Sequence, residues 1–221
     1  MKKIHYFLVF CLVATFLSCS KDSNNDGDNT DNPMQAAART AIADAAFEQV
    51  LVELDIDDVL DGSVLTSKVE MVTSLVMDDK GITSLLGISD FTMLENLSVN
   101  NNQISSLNLS ENTLLKFVFA ENNALSNINV SSLTILEKLA VTNNNLTQLN
   151  ISDNGALQLL QIADNTLGAI DLSAIPNSLQ LNTFAVENNP LTCIKVNEEI
   201  LNDIPSQWTK DAADTYALSC N

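Results

Sequence analysis

Residues Leu94–Ile104 read LENLSVNNNQI, a leucine-spaced apolar run followed at once by three asparagines. Asparagine is a poor strand former and marks turns, so the stretch pairs a strand with an abrupt change of direction. The frame returns as LKFVFAENNAL from Leu115, LEKLAVTNNNL from Leu136, LQLLQIADNTL from Leu157 and LNTFAVENNPL from Leu181, with a weaker first copy from Val72. Successive copies begin 22, 21, 21, 21 and 24 residues apart. So regular a period marks a repeat architecture, in which no unit buries its apolar face alone.

Within each copy the fourth and sixth residues are apolar between more polar neighbours: Leu75/Met77, Leu97/Val99, Val118/Ala120, Leu139/Val141, Leu160/Ile162 and Phe184/Val186. That alternation predicts a short strand with one buried face. The ninth residue, Asn102, Asn123, Asn144, Asn165 or Asn189, falls in the following turn, where its side chain can bond unpaired backbone groups. Stacked coils would line these five up as an asparagine ladder, while Asn100, Asn101 and Asn143 read as turn-tolerant surface residues. Lys80 holds the ninth place in the first copy. A second apolar pair recurs after the turn, as in Leu107-Asn108-Leu109 and Ile128-Asn129-Val130, and predicts extended or short 3₁₀ segments on the back of each coil. The five N-x-S/T sequons at Asn96, Asn108, Asn129, Asn145 and Asn150 follow from the same frame. The frame L-x-x-L-x-L-x-x-N-x-L resembles that of leucine-rich repeats. The expected fold is therefore of the α/β repeat class: a β-rich leucine-rich-repeat solenoid of about six coils.

The 221 residues are 46% apolar with few aromatics, so aliphatic side chains must build the core. Acids outnumber bases 28 to 10, which disfavours nucleic acid and anionic lipid and favours a basic or neutral partner. Lys2 and Lys3 precede an apolar run, Tyr6 to Leu17, too short for a stable membrane span. The run ends in Phe16-Leu17-Ser18-Cys19, which resembles the lipobox of bacterial lipoproteins. That resemblance implies a signal peptide over residues 1–18 and a lipid anchor on Cys19. Loss of Lys2, Lys3 and His5 leaves 8 bases against 28 acids, a net charge of 8 − 28 = −20, and no histidine.

Residues 19–33 carry no large apolar side chain and are expected to be a disordered tether. Cys19-Ser20-Lys21-Asp22 is similar to the signal that sends some lipoproteins to the outer face of the outer membrane, although Ser23 replaces its second acid. The localisation that follows is an outer-membrane lipoprotein exposed at the cell surface, the alternative being one that faces the periplasm. Asp22 to Asp28 matches the first half of a calcium loop, but the twelfth position is Pro33 instead of a bidentate Glu, so no metal site is assigned.

Residues 34–71 form the expected N-terminal cap. Alanine-rich Gln35 to Asp55 favours helix, with Phe47, Val50, Leu51 and Leu54 on one face to cover the first coil. Asp55, Asp57, Asp58 and Asp61 read as an acidic turn. The repeats occupy 72–191 and a C-terminal cap 192–221. With Cys11 in the signal and Cys19 lipidated, Cys193 and Cys220 are the remaining pair, and an exported chain should join them as a disulfide. Trp208, Tyr216 and Leu218 supply bulk to cover the last coil. The stretch NPLTCIKVN through Tyr216-Ala217-Leu218-Ser219-Cys220 is similar to the terminal cap of secreted bacterial leucine-rich-repeat proteins. The resemblance to internalin-like and other bacterial surface repeat proteins spans about Phe47 to Cys220, and it implies binding of a protein or surface ligand.

The third and fifth residues of each frame should point out of a concave face: Ser74/Val76, Asn96/Ser98, Phe117/Phe119, Lys138/Ala140, Leu159/Gln161 and Thr183/Ala185. Phe117 and Phe119, with Ala140 and Leu159 on following rungs, make an apolar patch suited to anchoring a protein or peptide partner. Asp78, Asp79, Glu121, Asp164 and Glu187 form a negative rim. Without mature histidine, Ser-His-Asp and Cys-His catalysis and histidine-ligated zinc are excluded, and no phosphate-cradling glycine motif or cofactor site is present. The expectation is a non-enzymatic cell-surface module that binds a protein partner on its concave face, as in adhesion; its alternative is a structural or accessory lipoprotein of an outer-membrane assembly such as a polysaccharide-capture complex.

Overall fold

The computed structural model describes residues 37–220. The expectations for the signal segment, Cys19 and the tether fall outside these residues. In chain order the elements are β1 (Arg39–Ala41), α1 (Ala45–Glu53), β2 (Ser63–Leu65), α2 (Thr66–Val69), β3 (Ser74–Val76), β4 (Asn96–Ser98), β5 (Ser106–Asn108) and β6 (Phe117–Phe119). They continue with β7 (Asn127–Asn129), β8 (Lys138–Ala140), β9 (Leu159–Gln161), β10 (Ala169–Asp171), β11 (Thr183–Ala185), β12 (Cys193–Lys195), α3 (Glu198–Asn202) and β13 (Tyr216–Ala217).

The alternation in the repeat frame fixes the front of the molecule. Six strands pair in the order β11-β9-β8-β6-β4-β3, each adjacent pair parallel and in register. Their central residues, Leu75, Leu97, Val118, Leu139, Leu160 and Phe184, are fully buried, as are Met77, Val99, Ala120, Val141, Ile162 and Val186 two positions on. An isolated bridge from Ala185 to Thr209 adds a rung from the C-terminal segment, so the six front strands become 6 + 1 = 7 turns. The count of about six coils is thereby extended by the cap itself.

The back is less regular. β5 pairs with β7, β10 with β12, and β12 in turn with β13, while Gln148–Ile151 between them forms no strand. Among the described residues one 3₁₀ turn occurs, at Ile88–Asp90. Leu107, Ile128, Leu149 and Ile170 nonetheless all point inward. Front and back thus share one aliphatic core, and each coil depends on its neighbours to keep that core dry.

The N-terminal cap differs from the long helix that alanine content favours. Among the described residues of that alanine-rich stretch only Ala45–Glu53 is helical, and residues 39–41 instead pair antiparallel with Ser63–Leu65, placing Thr40 against Val64. Tertiary pairing overrides local propensity here. Phe47, Val50 and Leu51 are buried, and Phe47 lies 5.9 Å from Phe91 of the first coil, whereas Leu54 ends the helix and is half exposed. The acidic turn is organised by Glu48, which is buried and accepts hydrogen bonds from the backbone N–H groups of Asp61, Gly62 and Ser63. Asp61 pairs with Arg39 at 3.0 Å.

Asp44 connects the cap to the solenoid. Its Oδ1 accepts from the N–H groups of Ala46 and Phe47, capping α1, and its Oδ2 accepts from the N–H and hydroxyl of Thr83 and the N–H of Ser84. Burial pushes its pKa up, but the Thr83, Phe47 and Ser84 hydrogen bonds outweigh that and leave it below the ordinary 3.8. A depressed folded-state pKa stabilises above the unfolded value and loses that contribution as pH falls through the folded one. Asp44→Ala should therefore cost about 1–2 kcal/mol at neutral pH. The gap from wild type should close progressively below pH 3.8 in urea unfolding.

At the other end Cys193 and Cys220 form a disulfide spanning 27 residues. Trp208 stacks edge-on against Phe184 at 5.2 Å and donates its indole N–H to the Leu181 carbonyl. Tyr216 lies 6.1 Å from Trp208; burial, with Asp214 and Glu187 nearby, pushes its hydroxyl up to about 12. Leu218, expected to help cover the last coil, is half exposed; Trp208 and Tyr216 occupy that ground.

Candidate functional site

The front sheet presents its third and fifth frame residues outward, and register sets their neighbours. Phe117 lies beside Lys138, which lies beside Leu159; Phe119 lies beside Ala140, which lies beside Gln161. Phe117, Phe119, Lys138, Leu159 and Gln161 are all partly exposed. Ala140 is only 1% exposed, which corrects its place in the outward patch. Its methyl group is too short to rise above Phe119 and Gln161 on the adjacent rungs. Ser98 is likewise buried, its hydroxyl donating to Asp78 Oδ1 at 2.7 Å.

The patch is also less purely apolar than its sequence suggests. Lys138 Nζ sits 5.2 Å from the centroid of the Phe117 ring, a cation–π contact that covers one aromatic face with the chain's own ammonium. Phe119 has no such contact among the described residues. At the strand ends Glu121 and Glu187 are half-buried, and Asp79 and Asp164 are exposed. Asp78 is held by Ser98 and the Asn100 N–H, and Asp164 Oδ1 accepts from Asn188 Nδ2 at 2.8 Å. These contacts fix carboxylates along one margin of the sheet.

Behind that margin run two rows of Asn and Asp side chains. The inner row is Asn102, Asn123, Asn144, Asn165 and Asn189. Asn144 shows its pattern: Nδ2 donates to the carbonyls of Ala120 and Val141, and Oδ1 accepts from the Leu125 N–H, so one side chain joins two coils. Asn102 Oδ1 accepts from the backbone N–H groups of Lys80 and Ile82 in the atypical first copy, where the Lys80 side chain pairs with Glu53.

Of the outer row the sequence marked only Asn101 and Asn143 as turn-tolerant, and not the conformation that all six members share. Asp79, Asn101, Asn122, Asn143, Asp164 and Asn188, one residue earlier, all adopt the left-handed region, with φ between 53° and 59°. Only glycine, Asn and Asp enter it at low cost. Asn122 donates to Asn101, and Asn143 to Asn122, through their side chains. The doubled asparagines thus hold two jobs, a backbone turn and a buried bracket. Asn112 and Asn154, fully buried on the back, were also missed; each donates to two carbonyls of the preceding coil. Their signal was an asparagine three residues after Leu109 and after Ile151.

Among the described residues both cysteines are bonded to each other, and no group of three or more His, Cys, Asp or Glu side chains could hold a metal ion. No helix there is long and apolar enough to cross a membrane. What the face offers is shape, two aromatic rings and placed charge.

No protein-family model and no curated protein matches the chain. Among solved structures it is similar to the functional domain of InlJ from Listeria monocytogenes, which includes a cysteine ladder, at 23% identity and a TM-score of 0.61, over 83% of this chain and 49% of that one. The chain thus spans about half the length of that neighbour. It is also similar to the internalin inlF of Listeria monocytogenes, at 18% identity and a TM-score of 0.47, over 80% of this chain and 71% of that one. Likeness to InlJ, with the register and the repeats, defines the class by fold: an internalin-like leucine-rich-repeat solenoid with a disulfide near its C-terminus.

Proposed function

We propose that this protein is a non-enzymatic, surface-displayed binding module that uses its front face to hold a protein or peptide partner in adhesion. Lipid on Cys19 would anchor it in the outer membrane, and the tether would hold the solenoid clear of the surface. The observation that carries this reading is the pair Phe117 and Phe119, partly exposed side by side on a rigid hydrogen-bonded sheet. Aromatic anchors on a pre-ordered surface contribute most of the affinity in many interfaces, because little entropy is lost on binding. The carboxylate margin of Glu121, Asp164 and Glu187 favours a partner with Lys or Arg beside an apolar side chain.

Selection of a random displayed-peptide library on the immobilised protein should enrich peptides of that composition. Phe117→Ser with Phe119→Ser should weaken the selected peptides by about 100-fold while circular dichroism is unchanged. Equal affinity in the double variant would remove the front face from the binding reading. Protease added to intact cells should cleave the solenoid, and full protection would instead support the periplasm-facing orientation.

A further inference from the structure

A second surface, separate from the front face, runs along the edge where each coil returns from back to front. The residue three places before each front strand is Met71, Met93, Leu114, Ile135, Ala156 or Gln180. Because the strands are in register, these positions stack rung upon rung. Met71 is 78% exposed, Met93 47%, Leu114 37% and Ile135 40%, and Leu179 beside Gln180 is 87% exposed. Single exposed apolar residues need no explanation, but a continuous ridge of them does.

A row of polar residues lies two places further on: Thr73, Glu95, Lys116, Glu137, Gln158 and Asn182. Backbone hydrogen bonds tie the Glu95 N–H to Thr73, Lys116 to Glu95, Glu137 to Lys116 and Gln158 to Glu137. Lys116 Nζ bonds Glu95 Oε2 at 2.8 Å. In a chain of formal net charge −18 this edge is nearly neutral, so two copies repel least here.

The order of both rows reads as its own complement when reversed. A two-fold axis between the coils of Leu114 and Ile135 sets Leu114 against Ile135 of a second copy, Met93 against Ala156, and Met71 against Gln180 with the exposed Leu179 beside it. The same axis sets Lys116 against Glu137, Glu95 against Gln158, and Thr73 against Asn182. Large side chains meet small ones on the second rung, and every polar pairing is attractive or neutral. A parallel, in-register pairing would place Lys116 on Lys116 and Glu95 on Glu95. We propose that this edge is an isologous homodimer interface, formed by two copies running antiparallel along the Met71–Leu179 ridge.

An isologous contact needs such self-complementarity, and the six-rung ridge has it about its own centre. Five steps of about 4.8 Å make the ridge roughly 24 Å long. A strip of that length is narrow beside the area of a standard stable interface, so the dimer should be weak and concentration-dependent. Nothing in this pairing requires the front face, which stays open for a partner.

Sedimentation velocity of the purified protein over about 1–500 µM should show monomer giving way to dimer. Leu114→Glu with Ile135→Glu should raise the dissociation constant at least about 100-fold. Lys116→Glu should raise it about tenfold, and adding Glu137→Lys should bring it back, because the cross-copy pair re-forms with its sense reversed. Mixed Leu114→Cys and Ile135→Cys proteins should oxidise to the mixed pair in preference to either self-pair. A protein monomeric throughout the range overturns the proposal. So does a dimer indifferent to the Leu114→Glu, Ile135→Glu change, or Leu114→Cys linking preferentially to itself. These side chains are exposed, and circular dichroism of each variant confirms that the fold is retained.

Discussion

Asn144→Ala is expected to destabilise the protein by about 3–4 kcal/mol, far more than any change at its neighbour Asn143. Asn144 is 6% exposed. Its loss leaves the Leu125 N–H, which donates to Asn144 Oδ1, without that acceptor in the interior. An orphaned buried donor costs about 1–3 kcal/mol, and the lost bonds to carbonyls add to it. The carbonyls themselves are shared along the ladder. Ala120 O accepts from both Asn123 and Asn144, and Val141 O from both Asn144 and Asn165. Removing Asn144 alone therefore leaves each carbonyl one partner. Removing Asn144 and Asn165 together strips Val141 O of both side-chain donors, so the double variant should lose more than the sum of the single losses. Asn143→Ala, by contrast, loses an exposed side-chain bond and strains one left-handed residue, about 1–2 kcal/mol, and Asn143→Gly should be close to neutral. Urea unfolding of these four variants and of Asn165→Ala alone measures all of this. Equal losses at 143 and 144 would refute the division between bracket and turn.

That division shows what the sequence could and could not convey. A period of about 21 residues and a two-residue alternation place the strands, because both are local consequences of stacking identical coils. Ladder asparagines are visible by the same repetition. The left-handed residue before each one is not, since an asparagine beside an asparagine carries no mark of which one turns the chain. Ala140 sits at an outward position, yet outward is not the same as exposed: its neighbours Phe119 and Gln161 decide, and they lie 21 residues away on either side. The cap strand Arg39–Ala41 pairs with a segment 22 or more residues downstream, a contact that no local propensity reports. Met93, Leu114 and Ile135 were hidden in plain aliphatic runs, where each precedes a buried leucine and only the coil geometry separates the two.

Reduction of the Cys193–Cys220 disulfide should have the second large effect, and it should be felt first in the cap. Its two ends lie 27 residues apart. Closing a loop of that size restricts the unfolded chain by about 3.5 kcal/mol in the chain-entropy description. Between the cysteines lie Trp208 on Phe184, the indole bond to Leu181, the Thr209 bridge to β11 and the short pairing of β12 with β13. Those contacts are few, whereas the solenoid beneath them is joined coil to coil along its whole length. With the disulfide intact, the cap is tied at its last turn to the core strand β12 and should unfold with the coils. Once reduced, it should open first. Trp208 is the chain's single tryptophan, so its fluorescence reports the cap while far-UV circular dichroism reports the stacked coils. For an m-value of about 2 kcal/mol/M, the fluorescence transition should move to lower urea by about 1.5–2 M on reduction, ahead of the dichroism. Coincident transitions in both redox states would mean that cap and coils form one cooperative unit, with the disulfide acting only through the unfolded chain.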